Sequence, residues 1–177
     1  MILDEIVAKK EIRLKAIDKV KFKKLPKAEY SKNLFRNTFI NNDFTVIGEF
    51  KKASPSKGII LENFQIDKIL EEYEKLPIGA YSVLTEEDYF LGKNEYLQYI
   101  ACNTSKPVLR KDFIIHKYQI NEAAYLGASA VLLIVAVLGD KLKDFYETAM
   151  NLGLAALVEV HNKNELEMAL EIDADII

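Results

Sequence analysis

With 177 residues, half of them apolar, the chain is long enough for one domain with a substantial core. Its net charge of −3 is near balance and argues against a general binder of nucleic acid or of membrane surfaces. Taken in chain order, the first apolar residues are Ile2, Leu3, Ile6 and Val7, then Ile12, Leu14 and Ile17. They mix with charges at helical spacing and predict an opening helix. A polar segment with Lys19, Lys21, Lys23, Lys24 and Lys27 reads as a solvated linker. A short helix is expected around 31–40.

From Thr45 a rhythm of strand and helix begins. Strands are expected over 45–50, 80–85, 107–113, 130–137 and 155–161. Helices are expected over 65–75, 93–102, 118–126, 140–152 and 164–171, the last with Asn162 as its candidate cap. Asp175-Ile176-Ile177 reads as the start of a further strand. Such alternation means parallel strands joined by helical crossovers. No Gly-rich dinucleotide fingerprint and no P-loop follows any strand, so a (β/α)₈ TIM barrel is favoured over an open sheet. The expected organisation is a helical extension over 1–44 and a partial barrel over 45–177, with strands one to five and the beginning of a sixth.

Polar residues interrupt the apolar strands at their C-terminal ends, where barrel enzymes place their chemistry. Glu49 and Lys51 lie two apart and share a face. An inward acid and ammonium are costly to bury without a partner or a task. An ordinary ion pair at a strand end and a pair of working groups are equally compatible with this segment. Behind them Ser54-Pro55-Ser56-Lys57-Gly58 forms a turn able to hold a small anion. Lys111 can be a general acid or a lysine reaching for solvent. Glu159 can be a proton carrier or a carboxylate bonded to a neighbour. Tyr89-Phe90 can wall a ring-bearing substrate or simply pack the rim. His116, His161 and the single Cys102 make no recognisable metal set, and one cysteine forms no intrachain disulfide. Met1-Ile2-Leu3-Asp4-Glu5 carries charge where a signal peptide needs an apolar core, and the longest apolar run, 130–139, is too short for a membrane helix. A cytoplasmic protein is expected.

Four segments occur in a telling order and spacing: Glu49 to Gly58; Ser82-Val83-Leu84-Thr85-Glu86 with Tyr89-Phe90; Val108 to Phe113 followed by Tyr118-Gln119-Ile120; and Leu157 to His161. Together they resemble the indole-3-glycerol-phosphate synthase family of tryptophan biosynthesis. The resemblance implies a cofactor-free lyase acting on a small phosphosugar-anthranilate, 1-(2-carboxyphenylamino)-1-deoxyribulose 5-phosphate, and closing its indole ring with loss of CO₂ and water. It implies Lys111 as general acid and Glu159 as base or proton relay for dehydration. Lys51 would bind anionic groups and supply a second acid, and Glu49 would orient the lysines. Ser54 would hold the departing carboxylate, and Phe90 and Phe113 would pack on the aromatic ring.

The sequence departs from the family pattern at Pro77-Ile78-Gly79 and at His116-Lys117, neither of which removes a catalytic group. Further family positions are expected beyond Ile177: an Asn and an Arg, a Glu-Ser pair, and Gly/Ser-rich loops that hold the phosphate. Two expectations stand side by side: part of an active synthase, or an inactive product serving as an interaction module.

Overall fold

The computed structural model describes residues 2–16 and 34–177. Ile17 and the Lys-rich segment lie outside the described residues. Helix α1 spans Ile2–Lys15 and α2 spans Leu34–Ile40. In α1 the residues Ile6, Lys10 and Leu14 recur every fourth position and form its buried face.

Strand β1 (Ile47–Phe50) opens the sheet and runs into a small antiparallel ribbon, β2 (Ala53–Ser54) with β3 (Gly58–Ile59). Gly58 closes the ribbon's turn with φ +63°, a conformation that costs a glycine little. Then come α3 (Ile66–Glu74), β4 (Ala80–Leu84), α4 (Asn94–Asn103), β5 (Val108–Lys111), α5 (Tyr118–Tyr125) and β6 (Ala130–Ile134). A helical turn, α6 (Val135–Leu138), leads through a 3₁₀ turn (Gly139–Lys141) into α7 (Leu142–Asn151), followed by β7 (Ala155–Glu159) and α8 (Lys163–Glu171).

The main sheet runs β1-β4-β5-β6-β7, every neighbouring pair parallel. Each helix returns the chain to the next position along the sheet. The order never reverses, as it would in a doubly wound sheet, and the architecture is that of a TIM-barrel wall. Ile176 extends the series with a parallel bridge to Leu157, where a further strand start is expected.

Side-chain alternation divides the core in two. Tyr81, Val83, Val131, Leu133 and Val158 belong to the larger core, which includes Leu97, Ile100, Ile120, Phe145 and Ala169 from the helices. On the other side Ala80, Leu109, Ala130 and Ala155 gather around Phe35 of α2, with Ile47 and Leu157 beside them. Ala80, Ala130 and Ala155 are each the first residue of a strand. Phe35 therefore floors the barrel interior at the N-terminal end of the strands.

Several boundaries are corrected. The apolar run expected as one strand over 130–137 leaves the sheet after Ile134, whose register partner Glu159 is the last residue of β7. Val135 and Leu138 stay buried by winding into α6. A run without alternation reports burial, not backbone geometry. Strands expected over 45–50, 80–85, 107–113 and 155–161 are shorter, at 47–50, 80–84, 108–111 and 155–159. Asp112, Phe113 and His161 thereby fall in loops, free of the pleat. The candidate cap is borne out: the Asn162 side chain accepts the Glu165 N–H at 3.0 Å.

Candidate active site

The C-terminal ends of the strands enclose a cavity of about 300 Å³ lined by Glu49, Lys51, Leu84, Phe90, Lys111, Asp112, Phe113, Leu132, Ile134 and Glu159. Alternation along the strands explains the membership. Glu49 and Lys51 are two apart on and just after β1, and Lys111 and Glu159 end β5 and β7. The sheet registers Leu84 against Lys111 and Ile134 against Glu159. The polar groups thus rim a floor of Leu84, Leu132 and Ile134.

Lys51 donates to the Glu49 carboxylate. Lys111 Nζ lies 3.8 Å from Glu159 Oε2, and the other Glu159 oxygen is 3.3 Å from His161 Nε2. All four side chains of the two cation–carboxylate pairs keep about a third of their surface accessible. They are partly desolvated yet reachable by a ligand. Tyr73 steadies the end of β1 by donating its hydroxyl to the Glu49 carbonyl at 3.1 Å.

Phe90 and Phe113 come from different loops and meet with ring centroids 6.1 Å apart and planes at 41°. The Phe90 loop is pinned from within. The Glu86 carboxylate accepts the N–H groups of Asp88, Tyr89 and Phe90 at 3.2, 2.7 and 3.1 Å. The Phe90 carbonyl in turn accepts the Ala53 N–H of the β2–β3 ribbon at 3.2 Å. Gly92 closes the loop where no side chain fits, since a Cβ there would sit 2.4 Å from the Leu84 carbonyl oxygen.

Six of the seven residues singled out in the sequence line this one cavity: Glu49, Lys51, Phe90, Lys111, Phe113 and Glu159. Ser54 is not in the lining; its hydroxyl accepts the Lys57 N–H at 3.3 Å and lies 3.4 Å from the Ser56 hydroxyl within the ribbon. His161, read from the sequence as a polar strand terminus, is brought onto Glu159 by the loop after β7. Its i+4 neighbour Glu165 accepts its backbone N–H at 2.8 Å and anchors it.

Sequence reasoning did not anticipate a buried ionic network behind the rim. Arg110, 3% exposed, faces away from the cavity. It donates to Asp112 at 3.0 Å, Glu122 at 2.8 Å, the Gln119 carbonyl at 3.0 Å and Thr85 at 3.1 Å. Asp112 also accepts from Thr85 and from the Phe113 N–H, each at 2.8 Å, and pairs with Lys10 of α1 at 2.7 Å. Burial works to raise the Asp112 pKa, but Lys10 and Arg110 outweigh it and hold the carboxyl below its ordinary value. The one signal in the sequence was Arg110 itself, a second charge beside Lys111 that strand alternation turns to the opposite face.

Among the described residues no group of three His, Cys, Asp or Glu is placed to hold a metal ion, and no helix is long and apolar enough to cross a membrane. A family model described as indole-3-glycerol phosphate synthase matches residues 3–177. The chain is 49% identical over 183 residues to the indole-3-glycerol phosphate synthase of Thermoanaerobacter pseudethanolicus, covering all of this chain and 69% of that relative. It is 48% identical over 183 residues to the enzyme of the same name from Clostridium kluyveri, of which it covers 70%. It is 48% identical over 184 residues to that of Endomicrobium trichonymphae, of which it covers 71%.

Proposed function

We propose a residue-by-residue mechanism from the premise that this chain belongs to the indole-3-glycerol phosphate synthase family, the lyases that make indole-3-glycerol phosphate in tryptophan biosynthesis. The substrate is 1-(2-carboxyphenylamino)-1-deoxyribulose 5-phosphate. A ring carbon bearing the carboxylate attacks the ketone carbon, and a C–C bond forms as the carbonyl oxygen takes a proton. The bond to the carboxylate then breaks, its electron pair restores the aromatic ring, and CO₂ leaves. Loss of the new hydroxyl as water completes the indole.

Lys111 donates the proton to the carbonyl oxygen. Its ammonium sits at the cavity rim, 3.8 Å from a carboxylate able to receive a proton in the later step. Glu159 is that carboxylate and serves the dehydration. Lys51 binds the substrate's anionic groups and can supply a second proton. Glu49 holds Lys51 and stabilises positive charge developing at the anilino nitrogen. Phe90 and Phe113 pack on the aromatic ring. Ser54, on the neighbouring ribbon, helps to hold the departing carboxylate.

The observation that carries this reading is the convergence of two cation–carboxylate pairs and two phenyl rings on one cavity of substrate size. No observation on the fold or the cavity favours an inactive interaction module. Reaction in the cytoplasm, without nucleic acid, completes the proposal. The domain division is likewise 1–44 as helical extension and 45–177 as barrel. The test is the Lys111→Ala variant in an indole-forming assay. Turnover should fall by roughly 10²-fold, the usual scale for a lost general acid, with KM changed less. Near-normal turnover would remove Lys111 from this role.

A further inference from the structure

Lys10 is a buried charge for which the proposed chemistry has no use. It is 4% exposed, on a helix whose other polar contacts with the barrel rim are more exposed: Arg13 with Glu87 and Asp88, Lys9 with Asp88, and the Tyr89 hydroxyl donating to Glu5. Accessible pairs of that kind contribute little. A buried ammonium is different, because it is retained only with partners that offset its lost hydration. Its partners are Asp112 at 2.7 Å and Glu86 at 4.0 Å, which follow β5 and β4 respectively.

Each of these carboxylates holds the backbone of a phenylalanine in the cavity wall. Glu86 accepts the N–H of Phe90, and Asp112 accepts the N–H of Phe113. Two loops that carry the facing rings are thus tied to one cation from outside the barrel. Both carboxylates are almost wholly buried, at 1% and 2% exposure, and Lys10 is a cation that they share.

We infer that Lys10 is a positioning residue that sets the gap between Phe90 and Phe113, and with it the fit of the substrate's aryl ring. This rests on the reading that those two rings hold that aryl group. Loss of the ammonium lets the Glu86 and Asp112 loops separate, and the slot widens while Lys111 and Glu159, on their own strands, stay in place. The substrate's ring is then held poorly, whereas the proton-transfer groups are intact.

The test is equilibrium binding of N-methylanthranilate, the aryl half of the substrate, followed by its own fluorescence. The chain has no tryptophan to interfere. Lys10→Met should weaken binding on the order of tenfold, the scale of a small displacement in a fitted site. In the Phe90→Ala/Phe113→Ala background the same change should have no further effect, because the rings through which Lys10 acts are gone. Steady-state kinetics should show KM rising with kcat changed less. Should Lys10→Met fail to fold, Lys10→Gln replaces it. That variant removes the charge, keeps a hydrogen-bond donor in the buried site and leaves Glu86 and Asp112 intact, and the same weakening is expected. If the ring variants weaken binding but the Lys10 variants do not, or if the effects simply add, the inference is overturned and the ring reading stands. If the Phe90→Ala/Phe113→Ala variant binds the probe as the parent does, the ring reading falls and the inference falls with it. A merely structural lysine would lower the melting temperature and leave the probe's Kd unmoved.

Discussion

Glu159 has two nitrogen-bearing neighbours of different character, an ammonium and an imidazole. Lys111 approaches one oxygen at 3.8 Å and His161 approaches the other at 3.3 Å. Under the proposed chemistry the carboxylate must gain and lose a proton, and Glu159→Gln keeps its shape without that ability. Turnover in an indole-forming assay should drop by roughly 10²-fold while the melting temperature stays within a few degrees of the parent. Unfolding at ordinary temperature would instead mark the carboxylate as structural. Asp112 carries a second prediction. Its carboxyl faces Lys10, Arg110 and Thr85, with Glu86 and Glu122 bound to the same cations. Its folded pKa lies below the ordinary Asp value of about 4, so on acidification the unfolded chain takes up the proton first. The stability it contributes is therefore complete above that ordinary value. It is lost as pH falls from there through the lower folded value. Urea unfolding across that window should show the parent losing stability more steeply than Asp112→Asn; equal slopes would contradict the coupling to Lys10 and Arg110.

At the scale of elements, strands supply the cavity's floor and most of its charges, and loops supply its aromatic wall. Gly92 ends the Phe90 loop by donating its N–H to the Glu86 carbonyl at 2.7 Å. A methyl group at that position meets the Leu84 and Glu86 carbonyl oxygens at 2.4 and 2.9 Å. Gly92→Ala should therefore displace the loop, lower stability by about 1–3 kcal/mol and weaken substrate binding. Calorimetry and KM measure the two effects, and an unchanged KM would mean that the loop does not shape the slot. The same division decides what was legible in the sequence. The barrel rhythm was readable because each strand and helix follows its own period, and the rim charges stood out against apolar strands. The end of β6 was not readable, since Val135 and Leu138 are as apolar as the strand before them and are buried in a helix instead. The Lys10 pairing was invisible for another reason. Lys10 looks like any charge in an amphipathic helix, and its partners lie 76 and 102 residues away in sequence.

Over the whole molecule, the two described helices before the barrel meet it at opposite ends. α1 reaches the cavity rim through Lys10, and α2 lays Phe35 against the N-terminal ends of the strands. Phe35 is fully buried, so Phe35→Ala should cost about 3–5 kcal/mol, read as a loss in urea unfolding. A cost below about 1 kcal/mol would mean that the floor collapses around the gap. The three alanines that receive this ring have a consequence of their own. Ala80, Ala130 and Ala155 are small because the bulk at this level is borrowed from outside the strands, so volume there is shared property and can be moved from one owner to another. Enlarging one alanine to leucine should harm the parent by crowding Phe35 and should help Phe35→Ala by occupying the space it vacates. The two substitutions, each harmful alone, should compensate when combined. A lineage could thus exchange the helical plug for a self-filled floor in two steps, in either order, without altering the opposite end of the strands, where the cavity lies.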